Sequence, residues 1–204
     1  MSRYIGPRVK KLRSFGVDLP GLSRKSMDRR PTAPGQHGPT RRRKISDFGR
    51  QLAEKQKLRY NYGLGERQFR RLVLESRKSK LGAGDKLLEL LERRLDNVVF
   101  RAGFAATIPA ARQLVAHGHI TVNGKRVSIP SYRIQVGDVV RPKDASLQLK
   151  AVHASLQSPA LSAPEWLECD KSRVLARGMS LPDKSSVPMP IDIQLVIEHY
   201  SKRI

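Results

Sequence analysis

Between Arg93 and Arg126 the sequence concentrates side chains suited to gripping phosphate oxygens: Arg93, Arg94, Asn97 and Arg101, then Arg112, His117 and His119, then Lys125 and Arg126. A guanidinium presents a rigid planar fork that matches phosphate geometry, and the amide, imidazole and ammonium groups add further donors. Such a set reads the backbone and shape of a folded nucleic acid more than its base sequence. Other chemistries fit these letters less well. His117 and His119 flank a glycine, but no carboxylate or thiol stands near them in sequence to complete a metal site. Asp96, among arginines, is expected to orient Arg93 or Arg94 through a charge-assisted hydrogen bond. As a catalytic carboxylate it would need a separate β-rich domain, and the remaining chain has neither the length nor the strand pattern for one. Gly82 to Lys86 is too short for a phosphate-binding loop and lacks a preceding strand. The lone Cys169 can form neither an internal disulfide nor a paired-cysteine zinc site, and fits a reducing compartment.

The elements that must position these donors follow from periodicity. From Lys86 the sequence runs KLLELLERRLDNVVFRAGFA, and on a helical wheel Leu87, Leu91, Leu95, Val98 and Ala102 fall within about 80° of arc. Arg94, Asn97 and Arg101 cluster on the adjacent flank with Arg93 a little further round, so one helix is expected to lay them along a phosphate backbone. Asp85 is its expected N-cap. Thr107 and Pro109 open a second helix, which Gly118 ends in a left-handed conformation. Ile120, Val122, Val127 and Ile129 then alternate around Asn123-Gly124, a two-residue hairpin signal, with Lys125 and Arg126 beside the turn. Tyr132 to Val136 and Val139-Val140, joined at Gly137-Asp138, suggest a further strand pair.

The 204 residues include 40 Lys and Arg against 18 Asp and Glu, a formal net charge of +22, which points to a polyanionic partner. The excess lies entirely in the first 150 residues; residues 151–204 are neutral and are left to packing or another partner. Residues 1–49 combine Gly-Pro turns with basic clusters that include Arg41, Arg42, Arg43 and Lys44, and are expected to form a largely extended arm ordered on nucleic acid. Residues 50–82 read as two helices around the Gly63 to Gly65 turn, with Phe69, Leu72 and Val73 facing a core and Arg70 and Arg71 left for solvent or phosphate. No run of about 18 apolar residues exists, so no membrane span is expected. The start lacks a secretory signal's apolar stretch, so the mature chain is expected to begin near Met1.

At residues 93–140 the sequence resembles the small RNA-binding domain named after small-ribosomal-subunit protein four. APGQHG at 33–38, LAEKQKLRYNYGLGERQFRRLV at 52–73 and IEHYSKR at 197–203 are similar to that ribosomal family itself. The resemblance implies a primary binder of small-subunit ribosomal RNA that nucleates assembly of the subunit body. It also implies a contact with small-subunit protein five linked to decoding accuracy, and a place near the messenger RNA entry channel. Arg93, Arg94, Asn97, Arg101, Arg112, His117, His119, Lys125 and Arg126 lie in the matching motif and are the expected RNA contacts, joined by Arg41, Arg42, Arg43, Lys44, Arg70 and Arg71. Some family members hold zinc through cysteines in the arm; residues 22–36 here have none, so no cofactor or metal is expected.

The expected fold class is α+β: a mainly helical, discontinuous first domain with an extended basic arm, and an inserted RNA-binding domain of two helices and a short antiparallel sheet. Its parts are the arm at 1–49, helices at 50–92, the RNA-binding domain at 93–155, an irregular connection at 156–190 and a C-terminal helix at 191–204 packing on the first domain. The expected protein is no enzyme and no obligate homo-oligomer, and works on a ribosome in the cytoplasm or an organellar stroma. An RNA-modifying enzyme or a free RNA-binding regulator built on the same domain is the alternative.

Overall fold

Apolar side chains recur at helical spacing from residue 50 onward and give way to short alternating runs after Gly118, and the architecture follows that change. A computed structural model describes residues 4–40, 45–80, 82–170 and 172–201. The chain is α+β and divides into two compact units, residues 1–87 with 189–204 and residues 88–188. Arg41, Arg42, Arg43 and Lys44 lie outside the described residues.

The first unit is helical. α1 (Arg8–Phe15) ends at Gly16, whose φ of 67° is left-handed. This helix departs from the extended arm expected over residues 1–49. Leu12, Leu19 and Leu22 are fully buried, and the Gly21 amide donates to Asn61 Oδ1 at 2.9 Å, so the early arm shares the unit's own core. α2 (Asp47–Asn61) is capped by Ser46, whose hydroxyl accepts from the Gly49 amide. α3 (Glu66–Ser76) buries Phe69, Leu72 and Val73 and leaves Arg70 and Arg71 exposed. α4 (Ala83–Glu92) begins two residues before Asp85, which therefore sits in the first turn instead of capping it. α8 (Ile193–Ser201) lies against α2, with Gln51 Nε2 donating to Glu198 at 3.2 Å. Tyr200 donates to Glu66 Oε1 at 2.6 Å while Lys55 Nζ meets the same oxygen at 3.0 Å.

In the second unit α5 (Leu95–Arg101) and α6 (Ile108–Ala116) pack together, with Leu95, Val98, Val99, Ala111 and Val115 buried. A five-stranded antiparallel sheet of order β2-β1-β3-β5-β4 follows. β1 (Ile120–Val122) and β2 (Lys125–Arg126) flank the Asn123-Gly124 turn, where both residues have positive φ as that turn type requires. β3 (Val139–Pro142) pairs with β1 and places Arg141 opposite Thr121. Tyr132 to Val136 is not a strand; its carbonyls and amides serve the chain entering α5. α7 (Lys150–Gln157), β4 (Leu167–Asp170) and β5 (Leu175–Gly178) occupy a region expected to be irregular beyond residue 155. β4 and β5 pair with each other as a local hairpin, and β5 also pairs with the distant β3, Val140 opposite Ala176. Among the described residues no helix is long and apolar enough to cross a membrane.

Candidate nucleic-acid interface

The expected 86–102 helix is two helices. At Arg94 the backbone turns extended (φ −66°, ψ 136°) and forms an antiparallel bridge with Arg133. The Leu95 amide donates to Tyr132 O at 2.8 Å, and the Asp96 amide to Pro130 O at 3.1 Å, in place of helical partners. The break rotates the following residues away from the flank that a continuous wheel assigns them.

Consequently Arg94, Asn97 and Arg101 are not an exposed ledge. Arg94 and Arg101 are each 5% exposed and Asn97 is 2% exposed. Arg94 donates from Nε and Nη2 to the two oxygens of Asp96 at 3.0 and 2.8 Å, a bidentate pair. Arg112 reaches Asp96 Oδ2 at 2.6 Å from a turn of α6. Asn97 Nδ2 donates to Glu92 at 3.0 Å, and Arg101 lies 3.8 Å from the same carboxylate while donating to Ser186 O at 2.8 Å. Arg93, half-buried, donates to Glu89 at 2.8 Å and to Ile134 O at 2.9 Å. The expectation that Asp96 orients an arginine fits this geometry: it holds Arg94 and Arg112 together and ties α5 to α6.

The second half of the motif is arranged differently. α6 ends at His117, and Gly118 turns the chain at a φ of 75°. A Cβ on Gly118 would collide with the Arg126 guanidinium, which lies directly against the glycine backbone. The left-handed turn favours glycine there, and any side chain would also push the Arg126 guanidinium aside. The turn thereby joins His117, His119 and Arg126 into one edge, with Lys125 beside it; Lys125, Arg126 and His117 are exposed. His119 Nδ1 lies 2.9 Å from Ser146 Oγ, which orients its ring. The edge extends to a residue outside the expected set. Cross-strand pairing sets Arg126 and Arg141 on either side of Thr121, on one face of the sheet. Arg141 went unnoticed because only the register reveals it. It also pairs with Asp144.

Arg70 and Arg71 present an exposed basic stretch on α3 in the first unit, with Arg67 a turn before them. Among the described residues no group of three or more His, Cys, Asp and Glu side chains is placed to hold a metal ion.

Residues 3–92 match the family described as the ribosomal protein S4/S9 N-terminal domain, and residues 93–140 match the S4 domain. Over the whole of both chains, the sequence is 55% identical to small ribosomal subunit protein uS4 of Methylobacillus flagellatus and 58% identical to protein uS4B of Nitrosomonas europaea. It is 49% identical to uS4 of a Synechococcus strain, again at full coverage of both.

Proposed function

The chain belongs to the small ribosomal subunit protein uS4 family, and from that membership we propose that it binds small-subunit ribosomal RNA as an early, structural organiser of the subunit body. It is a structural protein of the small subunit and not an enzyme. Its RNA contact is centred on the edge formed by His117, His119, Lys125 and Arg126, with Arg141 adjoining. The observation that carries this reading is the clustering of two exposed cations and two imidazoles around the Gly118 turn, with the Arg126 guanidinium lying over the glycine. Arg70 and Arg71 supply a second, charge-based contact. Arg93, Arg94, Asn97 and Arg112 act as positioning residues, because they donate to Glu89, Glu92 and Asp96, and so does Arg101, which is buried beside Glu92 and donates to Ser186 O. Arg41 to Lys44 add to the basic arm, whose role is the same polyanion attraction.

The finer reading adds a contact with small-subunit protein five that bears on decoding accuracy, and a position beside the messenger RNA entry channel. The bacterial source of the three relatives supports a cytoplasmic ribosome as its place of work. The test is salt-titrated binding of the chain and of its Lys125→Ala, Arg126→Ala variant to protein-free small-subunit RNA. Each lost phosphate contact lowers the slope of log affinity on log salt by about 0.7 to 0.9. The expected loss is therefore about 1.4 to 1.8 for the pair. An unchanged slope would remove this edge from the interface.

A further inference from the structure

The five-stranded sheet of the second unit is covered on one face only. Burial alternates along its strands: Ile120, Val122, Val140 and Ala176 are at most 3% exposed, while Thr121, Val139, Arg141 and Arg177 lie on the opposite face and reach solvent. Register assembles that open face. Arg126 stands opposite Thr121, and Thr121 opposite Arg141. One step of the pleat further, Val139 stands opposite Arg177, and Arg177 opposite Glu168.

Four adjacent strands, β2, β1, β3 and β5, therefore place three arginines and no carboxylate on this face. The acids are confined to the edge strand β4, as Glu168 and Asp170. Strands lie about 4.8 Å apart, so the row from Arg126 to Arg177 spans about 14 Å. Arg141 and Arg177 are diagonal neighbours whose backbones are about 7 to 8 Å apart, close enough for like charges to repel at physiological salt. Arg141 also meets Asp144, an exposed residue beyond the end of β3. Among the described residues Arg177 has no ion-pair partner, although Glu168 is its cross-strand neighbour. An anion long enough to span the row relieves the repulsion and pairs with the guanidiniums. No aromatic residue lies on the face, so unpaired bases have no ring to stack on, and what the face offers is phosphate pairing.

We propose that the open face of the sheet is a phosphate track, on which the backbone of an RNA strand leaving the hairpin corner crosses β2, β1, β3 and β5 over Arg126, Arg141 and Arg177 and stops short of β4. The track continues the corner at Gly118 and rests on its reading as an RNA contact.

The test is salt-titrated binding of full-length variants to protein-free small-subunit ribosomal RNA. Arg177 is exposed, so its single replacement leaves folding intact. Arg177→Gln is expected to lower the slope of log affinity on log salt by about 0.7 to 0.9, and Arg141→Gln with Arg177→Gln by about 1.4 to 1.8. Arg177→Lys keeps the charge and should keep the slope. A slope unmoved by Arg177→Gln but lowered by Lys125→Ala, Arg126→Ala would overturn the track and leave the corner standing. A slope unmoved by either would overturn both. Weaker binding of oligoaspartate by Arg177→Gln, with RNA binding unchanged, would assign the face to an acidic protein and overturn the proposal.

Discussion

Replacing Asp96 with asparagine tests most sharply the finding that these arginines hold the fold together. The Asp96 side chain is 1% exposed and faces the guanidiniums of Arg94, 6% exposed, and Arg112, 16% exposed. Removing the charge leaves two cations beside a neutral amide in a site that water barely reaches. Breaking a buried ion pair from one side costs about 3 to 5 kcal/mol, because the partner is left uncompensated. Two features move the expectation to the lower bound. The amide oxygen still accepts one guanidinium N–H, and Arg112 can swing toward solvent. The expected loss is therefore about 3 kcal/mol, a large share of the 5 to 15 kcal/mol that typically stabilises a domain. Urea unfolding of the full chain followed by fluorescence of Trp166, in the same unit as Asp96, measures it. A loss below about 1 kcal/mol, the size of an exposed pair, would refute the claim that this cluster is a buried structural tie.

The paired change Arg94→Ala with Arg101→Ala should lower stability in the same urea assay, in contrast to the neutral effect that a continuous helical wheel implies for residues off the apolar stripe. Gly118→Ala should both destabilise the chain, by about 1 kcal/mol or more from the left-handed backbone, and displace Arg126, lowering the salt slope of RNA binding by about 0.8. Burial pushes the Glu66 carboxyl up, but hydrogen bonds from Tyr200 and Lys55 and the charges of Lys55 and Arg59 outweigh it and hold it below its ordinary value of 4.5. A carboxyl depressed in the folded state contributes stability above its unfolded pKa and loses it as pH falls through the folded one. Chemical denaturation from pH 6 down to pH 3 should therefore show a stability advantage of the natural chain over Glu66→Gln that shrinks with acid.

Periodicity located α6, the β1–β2 hairpin and the buried face of α3, because each is decided by neighbours within a turn or a pair of strands. Thr107 caps α6 through a hydroxyl that accepts from the Ala110 amide, a local signal that needs no tertiary context. The break at Arg94 was not legible in that way: its cause is a set of bonds to Pro130 and Tyr132, more than thirty residues away. One clue stood in the sequence nonetheless. Glu89, Glu92 and Asp96 recur every three or four residues beside Arg93, Arg94 and Arg101, and carboxylates in that register are natural partners for arginines on the same helical face. Arginines read without their neighbouring acids fall on an exposed flank of the wheel, whereas Arg94 and Arg101 are buried beside Asp96 and Glu92. α1 shows no helical stripe because Leu12 is its one buried residue, while Leu19 and Leu22 reach the core from beyond its end. β4 and β5 pair locally as a hairpin of four-residue strands, too short for alternation to mark them, and β5 joins the sheet through the distant β3.

The most direct test of the central claim is one-to-one binding to protein-free small-subunit ribosomal RNA, titrated in salt with large-subunit RNA as competitor, for the natural chain and for Lys125→Ala, Arg126→Ala. The account predicts binding that survives the competitor and a slope lowered by about 1.4 to 1.8 in the variant, with its unfolding curve unchanged. Binding abolished by the competitor would reduce the +22 charge to nonspecific attraction, and an unchanged slope would show that the corner built on Gly118 does not face the RNA.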